Sequence, residues 1–298
     1  VLKHLEPGKV VSATRIEPPL HPDGPEKILK DFGIEPEEFK EQELLNFIDE
    51  YTNQAYHHST IGIFAPWAIY KKDFQDIGGH DPLYAPQSKE DSDIFNRFVL
   101  AGYDLVQTWE GFIYHMTCRG SRFKDGALRN PAGQVFMKGR ESTEWLEQNL
   151  RSTRNFIRKW GHMVKHDNMM YPIIPPKYDI GFIVRNCDFG VLKELEPWCS
   201  TIYIEYTGVI ESYIKEEQKN TEFNLKDKIK HYINQSKTDN DIIIEFDCNH
   251  LNANNFQTIV NLSEILQESG DIGIMEYDIF KFHIKSLKTY EKELILVK

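Results

Sequence analysis

Between Met169 and Lys177 the sequence reads Met-Met-Tyr-Pro-Ile-Ile-Pro-Pro-Lys, with three prolines inside five residues. Each proline lacks an N–H and fixes its φ, so neither a helix interior nor a central strand can run through this stretch. The 298-residue chain is thereby divided. We read a first portion over residues 1–168, a Pro-rich linker over 169–177 and a small α/β domain over 178–298. Beyond the linker, strand-like runs at 179–184, 201–205, 241–247 and 272–285 alternate with helical patterns near 189–197, 210–235 and 253–268. That rhythm predicts helices covering a sheet.

In the first portion Val10–Ile16 is a β-like run that breaks at Glu17-Pro18-Pro19. Leu44, Leu45, Phe47, Ile48 and Tyr51 recur at helical spacing, which predicts an amphipathic helix over 41–55. The apolar run Ile61–Tyr70 reads as a buried strand with a turn. Residues 88–101 predict a second helix stopped by Gly102, and Val106–Tyr114 a further strand. Residues 119–140 lack periodicity and read as a long loop or lid. Trp145, Leu146, Leu150, Phe156, Ile157 and Trp160 define a third helix, with Arg151, Arg154, Arg158 and Lys159 expected on its exposed side.

Composition narrows the function classes. Asp and Glu number 46 against 35 Lys and Arg, a net charge of −11, which argues against a protein that coats nucleic acid or an anionic membrane. A local basic pocket for a phosphorylated ligand is compatible with it. The longest apolar stretch, Ile61–Tyr70, contains Pro66 and falls well short of the roughly 18 residues needed to span a bilayer. The chain starts Val-Leu-Lys-His, without Met or a signal-peptide pattern, so we expect a cytoplasmic protein or a piece of something longer. Cys118, Cys187, Cys199 and Cys248 are widely spaced and read as reduced, mostly buried thiols.

The stretch Phe64–His115 carries the chemistry. Gly78-Gly79-His80-Asp81-Pro82 supplies a turn in which backbone can approach a ligand. Lys89-Glu90-Asp91-Ser92-Asp93 then sets three carboxylates in four residues at a helix start. Crowding raises the pKa of such groups and would make one a general base. Two features point the other way: acids at a helix N-terminus oppose the macrodipole, which lowers their pKa, and Ser88 with Asp91 resembles a capping box.

Ala65-Pro66-Trp67-Ala68-Ile69-Tyr70-Lys71-Lys72-Asp73-Phe74, Ile77-Gly78-Gly79-His80-Asp81-Pro82-Leu83-Tyr84, Glu90-Asp91-Ser92-Asp93-Ile94-Phe95-Asn96-Arg97, Gly102-Tyr103 and Tyr114-His115 follow one another over roughly 50 residues. In this order and spacing they resemble the acceptor-side half of family 2 glycosyltransferases with the GT-A fold. The resemblance implies an inverting transfer of a sugar from a nucleotide-diphosphate donor to a hydroxyl on a glycan or lipid. Asp91 matches the family's catalytic base and Glu90 would position the acceptor, with Trp67, Gly79 and Asp81 on the acceptor side. Asp93 and Arg97 would brace the helix by an ion pair. His115 matches a histidine that many members give to a divalent cation, usually Mn or Mg, and Arg119 and Arg122 would close over the diphosphate. For Trp67 the alternative is a core tryptophan, for His115 a structural histidine, and for the basic loop a solvated turn.

The chain departs from the family upstream. A GT-A domain begins with about a hundred residues that bind the nucleotide and end in an Asp-x-Asp motif, whereas Val10–Ile16 resembles the segment just after that motif. Asp241, Asp247 and Asp271 fall in the wrong context to replace it. We therefore expect a chain that begins just downstream of the donor site, without the uridine pocket, that binds Mn or Mg and transfers sugar only where the donor half is completed, with an open sheet edge that favours a homo-oligomer. The alternative is a non-catalytic carbohydrate-binding or assembly protein. In the C-terminal portion Asn186-Cys187-Asp188, Glu196-Pro197-Trp198-Cys199 and Glu245–His250 form polar clusters near element ends, read as solvated turns. Asp247-Cys248-Asn249-His250 is not expected to be a nucleophile pair, because such residues usually meet only in the fold.

Overall fold

The computed structural model describes residues 1–54, 58–116, 127–137, 142–233 and 238–297. The chain is a mixed α/β protein. Its first sheet is built on β1 (Lys9–Glu17), which is buried along almost its whole length, on both faces, as suits a central strand. β2 (Lys27–Leu29) pairs with it in parallel, Arg15 opposite Lys27. α1 (Glu41–Gln54) follows, then β3 (Ser59–Ile61), β4 (Trp67–Ala68), α2 (Lys71–Asp76), α3 (Glu90–Leu100) and β5 (Asp104–Tyr114). The sheet order is β2-β1-β5-β3, with β4 antiparallel on the start of β1.

β1 and β5 are parallel, and their register jumps between Ala13, opposite Thr108, and Thr14, opposite Phe112. Trp109, Glu110 and Gly111 are thus extra residues that bulge from β5, a device that re-aims side chains at the end of a strand. Both strands finish at the same edge, where the backbone N–H of His115 donates to the Ile16 carbonyl at 2.7 Å. α3 packs on β5 and joins it through Ala101–Tyr103, so it runs back antiparallel and its first turn lies toward the carboxyl end of β5. Ile94, Phe95 and Phe98 of α3 meet Val10, Ile63, Ile77 and Leu105 in one apolar cluster.

The run 61–70 is not one buried strand. Ile61 ends β3 with 70% of its surface exposed, and Gly62 to Pro66 separate it from β4. Apolar composition alone does not specify pairing when Gly and Pro interrupt the ladder. Within 119–140, β6 (Ala127–Arg129) and β7 (Val135–Met137) form a hairpin rather than irregular loop.

α4 (Thr143–Trp160) opens on Ser142, whose Oγ accepts from the Trp145 N–H, and closes on Gly161 at φ 81°. Its basic side is only partly solvated, contrary to expectation: Arg158 and Lys159 are buried. Arg158 Nη2 lies 2.6 Å from Glu196 and 2.8 Å from Glu217, and Lys228 adds a contact of 2.7 Å to Glu196. Helical periodicity assigns cations to water, but here an internal carboxylate meets each of them. Through Ile157 and Arg158 the helix enters the interior of the second sheet, although it precedes the Pro-rich segment. Pro172 and Pro175 of that segment are themselves buried.

The second sheet comprises β8 (Ile180–Arg185), β9 (Thr201–Ile204), β10 (Ile229–His231), β11 (Ile242–Asp247), β12 (Gly273–Tyr277) and β13 (Phe280–Ile284), in the order β10-β9-β8-β11-β13-β12. α5 (Phe189–Leu195), α6 (Thr207–Glu217), α7 (Leu225–Lys228), α8 (Ala253–Val260) and α9 (Leu262–Ser269) fill the connections. The region 210–235 is therefore not a single helix; it ends in edge strand β10, and 272–285 is a hairpin. β8, β9, β10 and β11 are parallel. The chain moves outward from β8 to β10 and then returns to the other flank of β8, so the direction of winding reverses between β8 and β11.

Candidate functional site

The carboxyl ends of β1 and β5 gather an unusual set of charges. Glu17, the last residue of β1, is fully buried. Its Oε2 lies 2.8 Å from His115 Nδ1 and 3.1 Å from Arg15 Nε, and its Oε1 lies 2.9 Å from Lys27 Nζ and 3.2 Å from His21 Nδ1. Burial alone would push the Glu17 carboxyl up. The hydrogen bonds from His115 and His21, with Arg15 and Lys27, outweigh it and hold the group far below the usual carboxylate range. The His21 and His115 rings stack with centroids 6.0 Å apart.

Glu17, His21 and His115 each present one ligand atom, all within 4.8 Å of one another. Two imidazoles and a carboxylate form a donor set suited to a first-row divalent cation. Glu17 and Glu26 offset Arg15 and Lys27, which lie 3.5 and 3.7 Å from Glu26, so the fixed charges of this pocket sum to zero. A divalent cation there would leave a net charge of about +2, the sign that suits a diphosphate.

The second locus is the first turn of α3. The capping box expected from Ser88 and Asp91 is not made. Lys89, in the left-handed region at φ 74°, is the N-cap and gives no side-chain cap, while the Ser88 and Asn149 side chains hydrogen-bond at 2.6 Å. Asp91 is released from that duty. Burial pushes the Asp91 carboxyl up, opposed by nearby His80; burial and then the Asp91 charge raise Glu90, against backbone N–H groups of Glu90 and Ser88. Glu90 Oε2 is buried and has no hydrogen-bond partner among the described residues.

Asp93 is the opposite case. It takes Arg97 Nε at 2.8 Å, Trp160 Nε1 at 2.9 Å and Lys159 Nζ at 2.7 Å. Arg97, also fully buried, then donates to the carbonyls of Ile77 at 2.8 Å and Gly79 at 2.6 Å. The expected ion pair is therefore present, and it also fastens the Gly-Gly turn to α3. Gly79 sits at φ 68°, and an added Cβ would come within 3.1 Å of the Phe74 ring. Asp81 pairs with Lys159 at 2.7 Å and accepts from the Leu83 N–H at 2.9 Å. Trp67 is half-buried against Phe74, His80, Phe95 and Phe98. Arg119 and Arg122 lie outside the described residues.

No family model, curated protein or solved structure matches this chain. The function has to be argued from the site. Among the described residues no helix is long and apolar enough to cross a membrane.

Sequence reasoning singled out His115 but not Glu17, His21, Arg15 and Lys27, which the fold gathers around it. Glu17 ends an apolar strand just before two prolines, and His21 follows in an irregular segment, so no periodicity marks them. A charged residue directly after a buried strand and before Pro-Pro was the available signal.

Proposed function

We propose that this chain carries the acceptor and cation side of a sugar-transfer centre of the GT-A type. The observation that carries the reading is the contrast within one helical turn: Asp93 is saturated by internal partners, whereas burial raises the carboxyls of Asp91 and Glu90, and Glu90 Oε2 has no hydrogen-bond partner among the described residues. A carboxylate poorly stabilised as an anion is a stronger proton acceptor, as removal of a proton from an acceptor hydroxyl requires. Asp91 takes that proton and Glu90 orients the hydroxyl, while Arg97 holds the Gly78-Gly79 turn against them.

Glu17, His21 and His115 would hold a divalent cation, with Mn suiting two imidazoles better than Mg, and it would neutralise charge building on a diphosphate leaving group. The residues supply its ligands, and Arg15 and Lys27 fix the Glu17 carboxylate in place. The reading is supported by the element order, in which β4, the Gly-Gly turn, α3, β5 and His115 follow one another and α3 returns antiparallel to β5. This arrangement supports a nucleotide-sugar donor and a glycan or lipid acceptor.

The test is release of UDP from a panel of UDP-sugars, with Mn and glycan or lipid acceptors, by a protein in which a nucleotide-binding half completes this chain. Transfer that falls by about 10²- to 10⁴-fold in Asp91→Asn supports the assignment. Undiminished transfer overturns it, and glycan binding without nucleotide affinity would assign a carbohydrate-binding protein instead.

A further inference from the structure

The second sheet brings two cysteines together at the place where its winding reverses. Parallel pairing of β8 and β11 sets Arg185 opposite Asp247 at the last rung, so Asn186-Cys187 and Cys248 open the two adjoining loops. Asn186 adopts φ 53°, a left-handed turn that ends the strand. Its Nδ2 lies 3.0 Å from both Asp247 carboxylate oxygens and ties the two loops together. Cys187 is buried and its Sγ donates to the Asp188 carbonyl at 3.6 Å, while Cys248 is half-buried against the same apolar cluster, where the two thiols interact.

We propose that Cys187 and Cys248 form a reversible disulfide by exchange with a low-molecular-weight disulfide such as oxidised glutathione. Cys248 is the less buried of the two. Its thiolate attacks one sulfur of the glutathione disulfide; a protein–glutathione bond forms, the glutathione S–S bond breaks, and a glutathione thiolate leaves and takes up a proton. Cys187 then loses its proton to solvent and attacks Cys248 Sγ, which expels the second glutathione. Two protein thiols are oxidised and one glutathione disulfide is reduced to two thiols. Contact with Cys248, followed by burial, pushes the Cys187 thiol up, so ring closure is the slower step and the Cys248 adduct accumulates first. The cross-link would pin the loops after β8 and β11, and this inference stands independently of the sugar-transfer reading.

The experiment is incubation of the reduced protein with oxidised glutathione, followed by proteolysis without reductant and mass spectrometry. The expected result is a peptide pair linked through Cys187 and Cys248 and a rise in melting temperature of the oxidised protein. C248S should yield neither the linked pair nor that rise, C187S should stop at a glutathione adduct on Cys248, and C199S should behave as wild type. Should C187S fail to fold, C248S and wild type still decide the matter. Persistence of both thiols, or linkage of Cys248 to Cys118, Cys199 or a second chain, overturns the proposal.

Discussion

His115 Nδ1 lies 2.8 Å from Oε2 of Glu17, although 98 residues separate them in the chain. Parallel pairing of β1 and β5 makes the contact, and His21 joins from the loop after β1. If these residues are cation ligands, His115→Ala and Glu17→Gln should each weaken Mn binding by at least about tenfold, read by titration calorimetry. Protons compete for the imidazoles, so affinity should also fall as pH drops below neutral.

Asp91 is a carboxylate held where its charge is disfavoured. A raised acid pKa costs stability above the ordinary Asp value of about 3.9, and the cost disappears as the group protonates at lower pH. Asp91→Asn should therefore melt at or slightly above the wild-type temperature at pH 7 while losing transfer. A melting temperature several degrees lower would show Asp91 to be structural.

Asp93 and Arg97 should behave in the reverse way. Replacing Asp93 by Ala leaves Arg97 and Lys159 short of a buried anion, and breaking a buried pair costs about 3–5 kcal/mol. Urea unfolding should show that loss. Arg97→Lys should recover only part of it, because lysine cannot reach Asp93 and both turn carbonyls in one plane.

His162 is fully buried against Phe156 and Trp160, and burial, helped by Lys177 and Lys165, depresses its pKa to about 4. The neutral ring is favoured in the fold. Its contribution is present above the unfolded value of about 6.5 and is lost as pH falls toward 4, up to about 3 kcal/mol. Trp160 fluorescence during denaturant titrations at pH 7 and 4.5 should report the loss, and His162→Phe should flatten it.

The sequence was legible where one period dominates. Val10–Ile16, the helix over 41–54 and the acidic helix at 90–100 correspond to observed elements because each buries one consistent pattern. It was misleading where tertiary partners decide. Arg158 and Lys159 read as solvent-facing because nothing local announces Glu196, Glu217, Asp81 or Asp93 as their partners. Ser88 and Asp91 matched a cap in spacing, yet left-handed backbone at Ser88 and Lys89 removes it. The Glu17 cluster needs a strand pairing that joins residues almost a hundred apart, which no local pattern encodes.

Calorimetric titration of the chain with Mn tests the proposed centre most directly. The account predicts Mn binding that is lost in Glu17→Gln and His115→Ala but retained in Asp91→Asn. Absence of Mn affinity, or binding indifferent to Glu17 and His115, would contradict it.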